Sequence, residues 1–244
     1  MLVMDEMDMD LRKYLQQNHH HLTWKKRIQI AADIILSLCR INDENAIHRD
    51  LHSGNILFKG KFGISDLGFC GPADKPLKSI YGNLPYIAPE VINGKEQTFK
   101  SDIYSIAMLM WEISSGQPPF INYEHNYDLA MIIVNGIRPK IVSGTPLEYK
   151  NLMKQCWDAD PSKRPDIITL FNKISEINYF YQSKSNGSLT LPEENNSFEI
   201  EDSNINSLKN YTNSTSKVYH FENLPEPRNA TEEMFKIVII IEKK

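Results

Sequence analysis

The fold of this chain is decided by the segment Ile47-His48-Arg49-Asp50-Leu51-His52-Ser53-Gly54-Asn55-Ile56-Leu57. Two runs of strand-forming residues follow its polar part, 55–60 and 61–66, and they meet at Gly60, which suits a tight turn. The second run leads into Asp66-Leu67-Gly68. Because a short hairpin brings the chain back to where it started, we expect residue 66 to lie beside the loop that precedes the hairpin.

The composition bounds the class of protein. The 244 residues allow one or two domains, and a hydrophobic fraction of 41% is ample for a buried core. A formal charge of −4 gives no electrostatic basis for binding nucleic acid or an anionic membrane. The three cysteines are far apart and no signal peptide is visible, which predicts an intracellular, cytoplasmic protein with reduced thiols. The longest apolar run, Ile237–Ile241, is far shorter than the ~20 residues of a membrane-spanning helix.

Outside the hairpin, apolar residues recur at helical spacing, so the inventory is mainly α. Thr23 is placed to cap the first of the long helices. The segment from Ser101 to Ser114 is apolar almost all round, which predicts a central, buried helix. We predict helices over residues 24–41, 101–114, 127–135, 147–157 and 167–177.

The composition changes near Tyr181. Beyond it the chain is rich in Asn and Ser and has few large apolar residues. Such a segment cannot bury enough surface to offset its chain entropy. We therefore predict a folded part over residues 1–180 and a disordered tail over residues 181–244.

Three short motifs, taken together, resemble the signature of the eukaryotic-type protein kinases. In that family H-R-D-L-x-x-x-N precedes D-F-G, which precedes A-P-E. Here the first is His48 to Asn55, the second Asp66-Leu67-Gly68 and the third Ala88-Pro89-Glu90. A single triplet is common by chance, but all three in order, with a strand pair between the first two, are a specific signal. The resemblance spans about residues 2–178 and implies the kinase C-terminal lobe, mainly α with a short β-hairpin at the catalytic cleft.

The resemblance implies a phosphoryl-transfer site that takes ATP, Mg²⁺ and protein substrates. Such a transition state needs positioning and charge neutralisation more than covalent chemistry. Asp50 is the expected base for the proton of the substrate hydroxyl. Asn55 and Asp66 would supply the hard oxygen ligands that Mg²⁺ prefers.

The resemblance also implies a nucleotide-binding wall. By alignment with the hinge between the two kinase lobes, Met4 would be the gatekeeper, and backbone groups of Asp5 and Met7 would face adenine. Leu57 would form the floor beneath the base. For Asp10, contact with ribose and an ordinary helix N-cap are alternatives that the sequence leaves open.

Other matching residues imply regulation. Arg49 is the family's usual receptor for a phosphate on the activation segment, here residues 69–87. Ser79 and Tyr81 are the phosphate acceptors that this segment offers.

Three further matches imply structural roles. Asp102 resembles the family's aspartate that holds the catalytic-loop backbone from below. The segment Cys156–Pro165 resembles the C-W-x-x-D-P-x-x-R-P stretch of tyrosine kinases and tyrosine-kinase-like kinases. In that stretch Arg164 is expected to pair with Glu90, whereas His48 is expected to be a buried packing residue.

The chain departs from the family before the hinge. A kinase small lobe carries a Gly-rich loop, a strand lysine and a helix glutamate. Here the hinge-like residues begin at Leu2, and no G-x-G-x-x-G or V-A-I-K-like stretch follows. We therefore expect the small N-terminal β lobe to be absent, with a fragment and a genuinely short protein as alternatives. Such a chain is expected to be weak or inactive alone.

Smaller departures bear on specificity. His52 and Asn83 stand where Ser/Thr kinases usually have Lys and Thr, respectively. Tyrosine kinases usually have an arginine within D-L-x-x-x-N, and here Ser53 and Gly54 provide none. The body of the chain most resembles the tyrosine-kinase-like Ser/Thr group, so Ser/Thr acceptors are expected, with Tyr as the alternative. A catalytically inactive kinase-like scaffold in signalling is the competing hypothesis for the whole chain.

Overall fold

The computed structural model describes residues 7–72, 80–183 and 216–231, which form mainly helices with short strands. The helices are α1 (Leu11–Asn18), α2 (Trp24–Asp43), α3 (Pro89–Ile92), α4 (Phe99–Ser115), α5 (Tyr127–Val134), α6 (Leu147–Cys156) and α7 (Ile167–Ser183). The strands are β1 (Met9–Asp10), β2 (Ala46–Ile47), β3 (Ile56–Lys59), β4 (Lys61–Ile64), β5 (Gly71–Pro72), β6 (Ile80–Gly82) and β7 (Lys217–Tyr219).

The five predicted helices are confirmed, with ends shifted by a few residues. Thr23 caps α2 by accepting the Lys26 N–H at 3.4 Å. Thr98 and Ser101 form a reciprocal capping box at the start of α4. That helix ends where Gly116 takes a left-handed φ of +76°. The largest difference is in α7, which continues to Ser183 instead of ending near residue 177.

The helix α4 is central, as its all-round apolar sequence predicts. Its residues from Ser101 to Ser114 are all buried, and the helix packs against both α2 and α6. The helix α2 packs in turn against α7 and against β4. Because β4 lies on this helical core, the hairpin that carries the predicted site has a fixed position.

The predicted hairpin is confirmed. The strands β3 and β4 pair in antiparallel register from Ile56 opposite Ile64 to Lys59 opposite Lys61. Gly60 makes the turn at a φ of +71°, a conformation that glycine adopts without steric cost. The strand β1 adds to the other edge of β3, so β3 lies in the middle of a three-stranded sheet.

Two strand pairs were not predicted. The strand β2 pairs with β5, and β6 pairs with β7 from the C-terminal part of the chain. The predicted disordered tail over residues 181–244 is therefore corrected for residues 181–183, which continue α7, and for residues 216–231, which pack against the lobe. Local composition did not show this because the segment uses a strand edge supplied by residues far away in the sequence.

Candidate active site

The predicted catalytic loop is held by a buried carboxylate. Asp102, in the first turn of α4, accepts the His48 N–H at 2.7 Å through Oδ2 and the Arg49 N–H at 3.0 Å through Oδ1. Burial raises the pKa of Asp102, and these N–H groups and the nearby His48 and Arg49 act against that rise. The backbone of Arg49 has a left-handed φ of +74°, a strained conformation for a non-glycine residue, which the hydrogen bond to Asp102 helps to maintain.

His48 links the loop to the segment that carries Asp66. Its ring is fully buried, and its Nδ1 accepts the Asp50 N–H at 3.3 Å. Its Nε2 lies 2.9 Å from the carbonyl oxygen of Ser65. A carbonyl can only accept, so Nε2 carries the proton and the imidazole is neutral. His48 therefore positions the residues on both sides of the site.

Asp50 and Asn55 are joined directly. The Asn55 side-chain amide donates to the Asp50 carbonyl at 3.0 Å, and both side chains are largely buried. The Asn55 carbonyl accepts the Ser65 N–H at 2.8 Å and the Ser65 hydroxyl at 2.9 Å. The Asn55 amide nitrogen thus fixes the side chain against the loop that carries Asp50.

Asp66 lies at the end of the hairpin, next to Ser65. Its φ of +54° and ψ of +68° are left-handed, its carboxylate accepts the Gly68 N–H at 3.4 Å, and its side chain is exposed. A non-glycine residue in this conformation costs roughly 1–2 kcal/mol. The pKa of Tyr81 is raised by burial and by the negative charges of Asp50 and Asp66. Asp50 and Asp66 thus both act electrostatically on the Tyr81 hydroxyl.

The residues predicted to bind the nucleotide are described only in part. Met4 and Asp5 lie outside the described residues. Met7 is half-buried just before β1, and Leu57 is half-buried on β3, opposite Asp10 of β1. Asp10 caps α1 by accepting the Lys13 N–H at 2.8 Å, which is the second of the two alternatives for this residue.

Arg49 contacts the activation segment. Its guanidinium donates to the carbonyl oxygens of Phe69 at 3.3 Å and Pro72 at 2.8 Å. Tyr81, a predicted phosphate acceptor, stacks on Phe69 with 3.8 Å between ring centroids. The other predicted acceptor, Ser79, lies outside the described residues.

Glu90 and Arg164 form a bidentate ion pair. The two guanidinium nitrogens donate to the two carboxylate oxygens at 2.7 Å each. Arg164 also donates to the carbonyl oxygens of Asp158 at 2.8 Å and Lys100 at 2.9 Å. Its guanidinium lies over the Tyr104 ring, 5.2 Å from the centroid.

A buried polar network beneath the loop was not predicted. The Tyr86 hydroxyl donates to Glu112 at 2.6 Å, and Arg12 Nε lies 3.8 Å from the other Glu112 oxygen. Arg12 Nε also donates to the Ser53 hydroxyl at 3.1 Å. Burial raises the pKa of Glu112, although Arg12 and the two hydroxyls favour its charged form. The available sequence signal was that Glu112 is the one acid between Ile103 and Ile113.

A second group that sequence reasoning missed lies beside Asp50. His52 Nδ1 accepts the Gly54 N–H at 3.1 Å, so the proton of its neutral ring is on Nε2. That nitrogen is 3.2 Å from the hydroxyl oxygen of Ser216. The Ser216 hydroxyl in turn donates to Asp50 Oδ1 at 2.7 Å. A serine hydroxyl thus lies between the imidazole and the predicted base.

Comparison with known proteins defines the family. Residues 1–174 match the family model described as protein tyrosine and serine/threonine kinase. The match covers more than half of the chain and includes every motif of the site. The chain belongs to the protein tyrosine and serine/threonine kinase family.

Curated relatives carry kinase names. The chain is 31% identical over 196 residues to the dual specificity protein kinase zakA of Dictyostelium discoideum, covering 72% of this chain and 25% of that protein. It is 30% identical over 205 residues to a dual serine/threonine and tyrosine protein kinase of Apis mellifera, covering 79% and 20%. The chain thus spans a quarter or less of the length of these two relatives. Among the described residues, no helix is both long and apolar enough to cross a membrane.

Proposed function

We propose that this chain transfers the γ-phosphoryl group of ATP to serine or threonine hydroxyls of proteins, with tyrosine as a second acceptor class. The observation that carries the proposal is the 2.7 Å hydrogen bond from a serine hydroxyl to Asp50 Oδ1. A general base must lie within such a distance of the proton that it accepts. The relatives named dual specificity and dual serine/threonine and tyrosine kinases favour the same acceptors.

Two side-chain oxygens, from Asn55 and Asp66, would hold Mg²⁺. The residues fit this ion because Mg²⁺ prefers hard oxygen ligands and is held by few protein groups together with phosphate oxygens and water. When bound, Mg²⁺ neutralises negative charge on the triphosphate. The residues of this chain orient the acceptor: Asp102 and His48 hold the loop, and Asp50 takes the hydroxyl proton.

The adenine would lie against the hinge. In this proposal the backbone groups of Asp5 and Met7 face the base, Met4 limits the depth of the pocket, and Leu57 lies beneath the base. The half-buried positions of Met7 and Leu57 support a wall that is partly open to a ligand.

Residues 1–244 by themselves would transfer phosphate slowly, because they include no Gly-rich loop and no strand lysine of the kinase type. Removing one electrostatic contact to a transition state commonly lowers the rate by about two to three decades. Loss of positioning adds to this, since positioning can be worth ~7 kcal/mol or more.

The test is phosphate transfer from Mg-ATP to a mixed Ser/Thr peptide library. Chain 1–244 is compared with the same chain fused to a complete kinase small lobe, and with Asp50→Asn and Asp66→Asn variants of the fusion. We expect transfer by the fusion and its loss in both variants. A fusion that binds Mg-ATP but shows no transfer, or transfer that is unaffected by Asp50→Asn, would contradict the proposal.

A further inference from the structure

A C-terminal segment of the chain crosses the predicted catalytic cleft. Residues 216–231, here called the clasp segment, begin at Asp50 and then run along β6. The pairing is antiparallel, with Lys217 opposite Gly82, Val218 opposite Tyr81 and Tyr219 opposite Ile80. The clasp segment therefore extends the activation segment by one strand.

The first residue of the clasp segment makes directed polar contacts. Because the carboxylate can only accept, the Ser216 hydroxyl donates its proton to Asp50 at 2.7 Å. Its oxygen then accepts from His52 Nε2, 3.2 Å away. Asp50, His52 and Gly82 enclose this point, since a Cβ at Gly82 would come within 3.3 Å of the Asp50 carboxylate. The hydroxyl is therefore aligned with the base as an acceptor hydroxyl has to be.

Aromatic side chains anchor the strand. Tyr219 is only 6% exposed, and its ring stacks on Phe221 at a centroid distance of 5.4 Å. Phe221 meets Tyr127 of α5 edge-on at 6.3 Å. Val218, which lies between Ser216 and Tyr219 in the chain, points outward and is 51% exposed. The strand therefore contacts the lobe with one face only, through Tyr219, the aromatic residue three positions after Ser216.

The end of the clasp segment is held by backbone and side-chain contacts. The Arg228 N–H donates to the Val134 carbonyl at 3.1 Å, and the Asn229 side-chain Oδ1 accepts the Ala159 N–H at 2.9 Å. A Cβ on Gly136 would be 2.3 Å from the Arg228 carbonyl oxygen and from the Ala230 nitrogen. The clasp segment and the loop after α5 are therefore fitted to each other along several residues.

We propose that residues 216–224 occupy, within the same chain, the groove in which this domain holds an acceptor peptide, with the Ser216 hydroxyl in the place of the phosphoacceptor. The proposal rests on the proposed function, because it takes Asp50 as the base. It assigns a ligand class: an extended peptide that adds a strand to β6, with a hydroxyl residue first and an aromatic residue three positions later. An external acceptor has to displace the clasp segment, which competes as an intramolecular ligand.

The test is peptide binding without nucleotide. A fluorescein-labelled peptide with the sequence of residues 216–224 is titrated with full-length chain, and anisotropy is recorded. Tyr219→Glu places a charge in the buried aromatic contact, whereas Val218→Glu places the same charge one residue away on the exposed face. We expect at least tenfold tighter peptide binding by Tyr219→Glu than by the wild type, and wild-type binding by Val218→Glu. Equal binding by all three proteins overturns the proposal.

The hydroxyl contact has its own control. A peptide with Ala in place of Ser216 loses the hydrogen bond to a charged group, so its affinity for Tyr219→Glu should fall by about tenfold. Equal affinities of the two peptides would show that the serine does not occupy the acceptor position. Because neither titration contains ATP, a failure of the proposed phosphotransferase activity is read separately from a failure of this proposal.

Disulfide cross-linking tests the proposal independently, in case the Tyr219→Glu variant fails to fold. In a Cys70→Ser background, Tyr81→Cys is combined with Val218→Cys, its cross-strand partner, or with Glu222→Cys, which lies beyond the strand. Opposed residues of antiparallel strands lie within the Cα distance of a disulfide. We expect rapid oxidation of the 81–218 pair alone. Equal oxidation of the two pairs, or none of the first, contradicts occupation of the groove.

Discussion

Arg164 and Glu90, which are 74 residues apart in the chain, are joined by two parallel hydrogen bonds of 2.7 Å. Arg164 is 2% exposed and Glu90 5%, so the pair is shielded from water. It connects α3, which follows the activation segment, to the loop after α6. Because an unpaired charge at this depth is costly, the pair couples the two regions although it lies outside the predicted catalytic cleft.

Removing one partner of this pair should destabilise the fold strongly. Glu90→Gln leaves the Arg164 charge buried without its counter-ion, which typically costs about 3–5 kcal/mol. For a protein of this size that corresponds to a lower Tm by roughly 10 °C. The matched control is Glu226→Gln, which removes the exposed ion pair with Lys95 at 3.1 Å. We expect a change below 1 kcal/mol for the control, and similar melting curves for both variants would contradict this account.

Phosphate on the activation segment should act through Arg49. We propose that Ser79 and Tyr81 are the acceptors, because Arg49 already donates to two carbonyls of that segment. A phosphate adds about −1.5 to −2 charge and strong acceptor oxygens for a guanidinium. Phosphosite mapping of the full-length protein in its active form is the measurement. If that form carries no phosphate between residues 69 and 87, Arg49 has only its structural contacts.

An Arg49→Gln variant separates the two roles. The glutamine can keep a hydrogen bond to a carbonyl but cannot pair with a phosphate. We expect the variant to fold and to lose the activation that phosphorylation gives to the wild type. Unchanged activation by phosphate in Arg49→Gln would assign the response to another residue.

Stability should fall between neutral and mildly acidic pH because of His125. Burial, together with the charges of Lys217 and Arg12, lowers the pKa of His125 from 6.5 to about 4. Between these values the unfolded chain binds a proton that the folded chain does not, so stability rises with pH across this window. The contribution of His125 to the free energy of unfolding is fully present above about pH 6.5, and it is lost as the pH falls towards 4.

The measurement is Tm at pH 7, 6 and 5 for the wild type, for His125→Gln and for the exposed control His20→Gln. We expect the Tm of His125→Gln to fall less over this range than that of the other two proteins. Equal slopes for all three would show that the loss at acidic pH comes from other groups.

Limited proteolysis should cut the chain between α7 and the clasp segment. The Asn- and Ser-rich composition of residues 184–215 predicts a segment that proteases reach readily. The clasp segment has packed aromatic residues and paired backbone, so it should stay bound after the cut. Native mass spectrometry is expected to show the two fragments together, and Tyr219→Glu should release the smaller one. Separation of the wild-type fragments would contradict the anchoring contacts.

Local sequence patterns predicted the hairpin, the five helices and the central position of α4. Such features depend on neighbouring residues: β propensity around Gly60, and the apolar run of α4. The motif order also indicated that Asp50, Asn55 and Asp66 belong to one site, since a hairpin of two four-residue strands can return only to its starting point.

Tertiary structure alone decided which groups meet at that site. The proton position on His48 follows from a contact with the Ser65 carbonyl, and Glu112 reaches Tyr86 only because α4 passes beneath the loop. Ser216 meets Asp50 across 166 residues, and its strand has a partner only because β6 offers an open edge. Composition measures what a segment can bury by itself, whereas the clasp segment is stabilised by backbone pairing with β6 and by an aromatic contact with Tyr127, both of which the folded lobe supplies.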